Sequence, residues 1–227
     1  MATGDNALVV MTKAPEPGRS KTRLVPPLTF EEAAALSRAL LLDQMEHLTE
    51  FGGAKLFIAF APESSAPWFR AIAPQRFSCF PQAGAGLGER MRLVFENLFA
   101  RGFGNVILIG SDLPPIPLQF FDSAYASLSA QRDVVLGPSE DGGYYLVGMK
   151  RLIPGIFEEI SWSRADVLIR TLEKINRASL RYELLPACQD VDTPGDLMSL
   201  YARHEAAPFL MKNTWTLLQE LRERGKL

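Results

Sequence analysis

An alternation of two hydrophobic periods constrains this chain more than any other feature. Short runs at 7–11, 56–61, 106–109, 133–137, 144–149 and 180–185 are rich in Val, Ile, Leu, Phe and Tyr and are bounded by Gly, Pro or polar residues, as strands are. Several are apolar almost throughout, which fits strands covered on both faces. Between them lie segments with helical spacing. The clearest, EEAAALSRALLLDQMEHL, follows Thr29, with Glu32 three residues later completing a capping box. It sets Leu41, Met45 and Leu48 on one face and stops at Gly52 and Gly53. Further helices are expected over 87–99, 118–128, 164–175, 194–203 behind Thr193, and 214–224 with Asn213 as cap. Such alternation calls for a mostly parallel sheet with right-handed crossovers, in a three-layer α/β arrangement.

A chain of 227 residues with no repeat, linker or low-complexity tract suits one large domain over 1–227. A C-terminal helical appendage is expected from about 205. There Phe209, Leu210 and Trp215 either form an apolar contact surface, giving a homodimer, or pack on the domain. The net charge of -2 gives no global pull towards nucleic acid or anionic membrane, so any anion must be held by a local cluster and should be small. No apolar run approaches the roughly 20 residues of a membrane span, and the N-terminus has no secretory pattern. Cys79 and Cys188 lack metal-ligand spacing, which suits free thiols in the cytoplasm.

The local cluster is TKAPEPGRSKTRL, residues 12–24. It packs Lys13, Arg19, Lys21 and Arg23 beside Pro15, Pro17 and Gly18, directly after the first strand. A solvated surface coil is one reading. The prolines stiffen the loop and Gly18 permits a turn, and a stiff basic loop between strand and helix is where α/β sheets hold phosphates.

Acidic residues fall at similar junctions. Asp112 follows the run VILIG and would emerge at the carboxyl end of a central strand, as a ligand for a hard cation or as a cap before Pro114. Asp192 lies in QDVDTP, where helix capping competes with metal binding. Two carboxylates on one sheet edge can share a metal. The Asp141-Gly142-Gly143 segment is a turn between strands, or a place where backbone approaches a substrate. Gly84, Gly86 and Gly88 fit neither GxGxxG nor a Walker loop. No GxSxG elbow occurs, and His47 and His204 fall on expected helices as surface residues. Electrostatic catalysis on phosphates is the chemistry left.

Together, KxPxPGxxKTRL (13–24), GLGERM (86–91), GSDLP (110–114), GPSxDGGYYLVG (137–148) and DVDTPxDL (190–197) resemble the DUF2064 family of the nucleotide-diphospho-sugar transferase (GT-A) superfamily. That group is similar to phospholactate guanylyltransferases and molybdenum-cofactor nucleotidyltransferases, and the resemblance spans about residues 6–203. It implies an α/β/α sandwich with a mixed, mostly parallel sheet. By position it implies that Lys13, Lys21 and Arg23, with Pro15 and Gly18 shaping the loop, hold nucleotide phosphates. The loop of Gly84, Gly86 and Gly88 would touch base or ribose. Asp112 and Asp192 would bind Mg²⁺ or Mn²⁺, with Lys21, Arg23 and Asp112 catalytic, and Asp141, Gly142, Gly143 and Trp162 would face the acceptor. Relatives commonly carry an acidic residue where this chain has Gly86.

The implied activity is a metal-dependent transferase using a nucleotide and a small-molecule acceptor. Nucleotidyl transfer from an NTP to a phosphorylated or carboxylated acceptor is preferred, because four cations in one loop match a triphosphate and Ser111-Asp112-Leu113 is not Asp-x-Asp. Glycosyl transfer from a nucleotide sugar is the alternative, and a non-catalytic nucleotide-binding protein the third.

Overall fold

A computed structural model describes residues 5–206 and 210–227. Its sheet comprises β1 (Asn6–Lys13), β2 (Lys55–Ala61), β3 (Phe77–Pro81), β4 (Asn105–Ile109), β5 (Val134–Pro138), β6 (Tyr144–Met149) and β7 (Tyr182–Leu184), in the order β3-β2-β1-β4-β6-β5-β7. β1 runs parallel to β2 and β4, β2 to β3, and β5 to β7. Only β6 is antiparallel to its neighbours β4 and β5. The sheet is therefore mixed and mostly parallel, as expected.

The helices are α1 (Phe30–Leu48), α2 (Ala66–Ile72), α3 (Leu87–Ala100), α4 (Leu118–Ser129), α5 (Val167–Arg177), α6 (Pro194–Ala206) and α7 (Lys212–Glu223). Alternate residues of a strand point to opposite faces, and β1 feeds two cores in this way. Leu8 and Val10 pack with Leu41, Met45 and Leu48 of α1 and Phe121 and Tyr125 of α4. Ala7 and Val9 pack with Met91, Val94, Phe95 and Leu98 of α3. The Thr29–Glu32 capping box that opens α1 is present.

A third cluster joins Leu24 and Leu28, Leu36 and Leu40 of α1, Val191, Leu197 and Leu200 with α6, and Leu218 and Leu221 of α7. It ties the end of the basic loop to the start of α6. That places the basic loop beside the acidic segment that precedes α6.

Several expectations need correction. β3 and α2 had none: β3 is a five-residue edge strand of which only Phe77 is buried, and α2 is seven residues long, so neither leaves a periodic signal. Asn213 is not a cap. The buried Asp43 of α1 accepts from the Asn213 amide and side chain at 2.8 Å each and from the Thr214 amide at 2.7 Å, supplying the cap from another helix. His204 is buried, its ring 4.2 Å from that of Trp215. Pro208 and Phe209 lie outside the described residues. Leu210 is exposed, and Trp215 packs against Tyr201. Among the described residues no helix is long and apolar enough to cross a membrane.

Candidate functional site

β1 delivers the basic loop. A turn closed by the Arg19 and Ser20 amides on the Glu16 carbonyl brings the chain to Lys21, which has left-handed backbone, φ 46° and ψ 42°. That conformation is uncommon away from glycine and turns the side chain inward. The Lys21 ammonium lies 2.8 Å from the Val191 carbonyl and 3.3 Å from that of Asp112. It is 3.1 Å from Asp112 Oδ1 and 3.6 Å from Asp192 Oδ1. Arg23 stands outside it, 3.8 Å from Asp192 Oδ2.

β4 delivers Asp112 as its carboxyl end runs out, next to the buried Ser111. The following residues are fixed by α1: the Ile116 amide donates to Gln44 Oε1 at 3.2 Å, and the Ile116 carbonyl lies 3.0 Å from His47 Nε2. Asp192 is fixed differently. Asp196, in the first turn of α6, accepts from the Asp192 amide at 3.1 Å, the Thr193 amide at 2.7 Å and the Thr193 hydroxyl at 2.7 Å. The Thr193 hydroxyl in turn accepts from the Asp196 amide. One backbone bond, the Val191 amide to the Asp112 carbonyl at 3.2 Å, joins the two loops.

These loops bound a cavity of about 600 Å³ over the carboxyl ends of β1 and β4, the usual ligand position in such sheets. Lys13, Lys21, Asp112, Asp141, Gly143 and Trp162 line it. Arg23 and Asp192 flank Lys21 without lining the cavity. Pro15, Gly18, Gly84, Gly86 and Gly142 belong to the surrounding loops and Gly88 to the first turn of α3, and none of them lines the cavity.

Two of those glycines are sterically required. At Gly142 φ is +88°, and a Cβ would fall 2.0 Å from the Ala165 carbonyl oxygen. At Gly88 a Cβ would fall 2.8 Å from the Trp162 indole, so α3 and Trp162 touch there and Trp162 is aimed edge-on at Tyr144. Gly86 has open space around it. Asp141 Oδ1 accepts from the Ser139 hydroxyl at 2.6 Å and the Gly143 amide at 2.9 Å, which organises its own turn.

The cavity also gathers residues without an assigned role in the sequence. Asp190 lines it two positions before Asp192. Burial, together with repulsion from Asp141, Asp192 and Asp112 and only partly offset by Lys21, raises the Asp190 carboxyl from 3.8 to about 7. Its i, i+2 relation to Asp192 was the available signal. Arg90 and Arg164 add positive charge to its lining, and Gln82, also in the lining, donates to the Thr12 and Ala59 carbonyls. Gln82 follows the unforeseen β3 and left no trace in the pattern. Neither histidine lines the cavity.

The donors available to a metal are oxygens. Among the described residues no ready-made group of three or more His, Cys, Asp or Glu ligands exists, but Asp112 and Asp192 converge on one ammonium. Two carboxylates completed by waters and phosphate oxygens are what Mg²⁺ takes from proteins that bind it with a nucleotide, and the pair fits that requirement.

Solved structures share this fold. One from Desulfovibrio desulfuricans G20, described as a candidate nucleotide-diphospho-sugar transferase, is 35% identical with a TM-score of 0.90, over 97% of this chain and 96% of its own. A cytidylyltransferase from Leptospira borgpetersenii has a TM-score of 0.62 at 11% identity, over 98% and 95%. CMP:2-keto-3-deoxy-manno-octonic acid synthetase complexed with CTP has a TM-score of 0.58 at 12% identity, over 89% and 99%. The last two share the fold alone. No curated protein matches the sequence. The chain belongs to the family described as "Uncharacterized protein conserved in bacteria (DUF2064)", which matches residues 44–164.

Proposed function

We propose that this protein is a metal-dependent nucleotidyltransferase that moves the nucleotidyl group of an NTP to a small phosphorylated or carboxylated acceptor. The observation carrying this reading is the pair Asp112 and Asp192 on one ammonium at the wall of a cavity that Lys13 also lines. Asp112 and Asp192 would hold Mg²⁺ or Mn²⁺, which when bound neutralises charge on the phosphates. Lys13, Arg19, Lys21 and Arg23 would hold the phosphate chain, and an acceptor anion would sit towards Arg90 and Arg164, with Asp141, Gly143 and Trp162 bounding it.

In the reaction, an acceptor oxygen bonds to the α-phosphorus, the bond to the bridging oxygen breaks, and pyrophosphate leaves. An ionised phosphate or carboxylate oxygen has no proton to lose, which agrees with a cavity wall lacking histidine. The volume of about 600 Å³ lies within the usual range for a small-molecule site. Cys79 and Cys188 are both free thiols, which supports a reducing cytoplasm, where NTPs are at hand.

One observation favours a second reading, glycosyl transfer from a nucleotide sugar. Asp190 and Asp192 have Asp-x-Asp spacing, and a carboxyl with a pKa of about 7 can take the proton of a hydroxyl acceptor. A thermal-shift and calorimetric screen of NTPs, NDPs and nucleotide sugars, with and without Mg²⁺ or Mn²⁺, separates the two. A ligand at 100 times its Kd adds about 2.7 kcal/mol. Metal-dependent stabilisation by one NTP is expected. Preference for a nucleotide sugar would replace the first reading with the second, and indifference to every nucleotide would refute both.

A further inference from the structure

Lys21 sits where a cation ligand would. Its side chain is 2% exposed, against 68% for Arg23 and 79% for Arg19 in the same loop. Around its ammonium stand four oxygens, one carbonyl and one carboxylate from each of the two loops: Asp112 O and Oδ1, Val191 O and Asp192 Oδ1. An ammonium has three protons, so these oxygens engage its full donor capacity and leave nothing for a phosphate. Asp112 and Asp192 likewise spend their inward oxygens on Lys21. A divalent cation bound to the same oxygens would meet the ammonium at contact distance, and two cations cannot share that position without strong repulsion.

We propose that in the nucleotide-free protein the Lys21 ammonium occupies the metal position, and that a triphosphate draws it out so that metal and nucleotide load together. This rests on the metal-dependent reading above. Lys21 already lines the cavity wall, so rotation about its side-chain bonds moves the ammonium from the carboxylates towards the phosphates. Departure leaves Asp112 Oδ1 and Asp192 Oδ1 without the ammonium they share, Arg23 remaining on Asp192 Oδ2, which favours metal entry; the phosphate oxygens would complete the metal's coordination and give Lys21 a new partner. Metal alone offers Lys21 no such partner, and so binds weakly.

The test uses MnCl2 alone, without nucleotide, titrated calorimetrically into the wild-type chain, Lys21→Met, and Lys21→Gln, which keeps a donor for the Val191 carbonyl. Thermal unfolding checks that each variant is folded. Apparent affinity falls in proportion to the fraction of protein whose site is open, so a lysine in place more than about 90% of the time predicts at least tenfold tighter Mn²⁺ binding in the variants. Adding Asp112→Asn to Lys21→Met should abolish that gain, locating the ion. Wild-type binding as tight as that of the variants overturns the proposal and leaves the metal reading standing. Failure of all folded forms to bind Mn²⁺ at millimolar concentration overturns both.

Discussion

The loops carrying Asp112 and Asp192 meet at the same ammonium, yet they are built by opposite means. Residues 110–117 are held from a distance: Gln44 and His47 of α1, some seventy residues earlier in the chain, grip the backbone of Ile116. Residues 189–196 are held from within, by Asp196 on the Asp192 and Thr193 amides and the Thr193 hydroxyl. A site assembled from one tertiary and one local clamp has two independent ways to fail. It also has one part that a sequence can show and one that it cannot.

The largest effect comes from the carboxylates themselves. If the two carboxylates hold the metal as proposed, Asp112→Asn and Asp192→Asn should each lower turnover at least ~1000-fold, because several kcal/mol of charge neutralisation would depend on that ion and each ~1.4 kcal/mol is a factor of ten. Both side chains are partly exposed, at 57% and 38%, so the melting temperature should hold. Near-normal turnover in either variant would remove that residue from the metal site and break the symmetry of the two loops.

Next comes the distant clamp. Gln44→Leu leaves the amide of the buried Ile116 without its acceptor, at about 1–3 kcal/mol. In a chain of this size that is a loss of roughly 3–10 °C, with turnover falling as Asp112 loses its fixed backbone. An unchanged melting temperature would show that the β4 end is rigid without α1. The local clamp should matter somewhat less: Asp196→Ala removes a cap worth about 1–2 kcal/mol, with a larger loss in metal affinity, on the order of tenfold, because Asp192 is oriented through it. If Asp196→Ala leaves Mn²⁺ affinity untouched, Asp192 is placed by Lys21 instead.

What the sequence disclosed follows the same division. Thr193 as a cap, the capping box on α1 and the junction positions of Asp112 and Asp192 were legible because each is a short-range pattern of residue types. The left-handed turn that buries Lys21 was not, since nothing in the order of residues marks a lysine for positive φ. His47 was assigned to the surface because helical spacing shows which face is apolar and not what a polar residue on its margin touches. The same limit hid Gln44 and Asp43: both lie on the buried side of α1, and their partners in the 110–117 loop and α7 exist only once the helices are packed. β3 escaped because an edge strand with one buried side chain has no alternation to read, and Gln82 went with it.

The smallest effect is a pH dependence that separates the clamps. Burial alone would raise the Asp196 carboxyl, but hydrogen bonds from Thr193, Asp192 and Gln189 hold it below its usual 3.8. A carboxyl more acidic folded than unfolded stabilises the fold fully above the unfolded value, and that stability is lost as the pH falls through the folded one. The difference in melting temperature between wild type and Asp196→Asn should therefore be largest at neutral pH and shrink below about pH 4. Gln44 is an amide with no proton to exchange in this range, so the loss caused by Gln44→Leu should stay nearly constant over the same interval. Melting curves of the three proteins from pH 7 down to the acid limit of the fold decide the matter. Parallel behaviour of the two variants would mean that Asp196 acts by packing alone, and that the local clamp is neutral like the distant one.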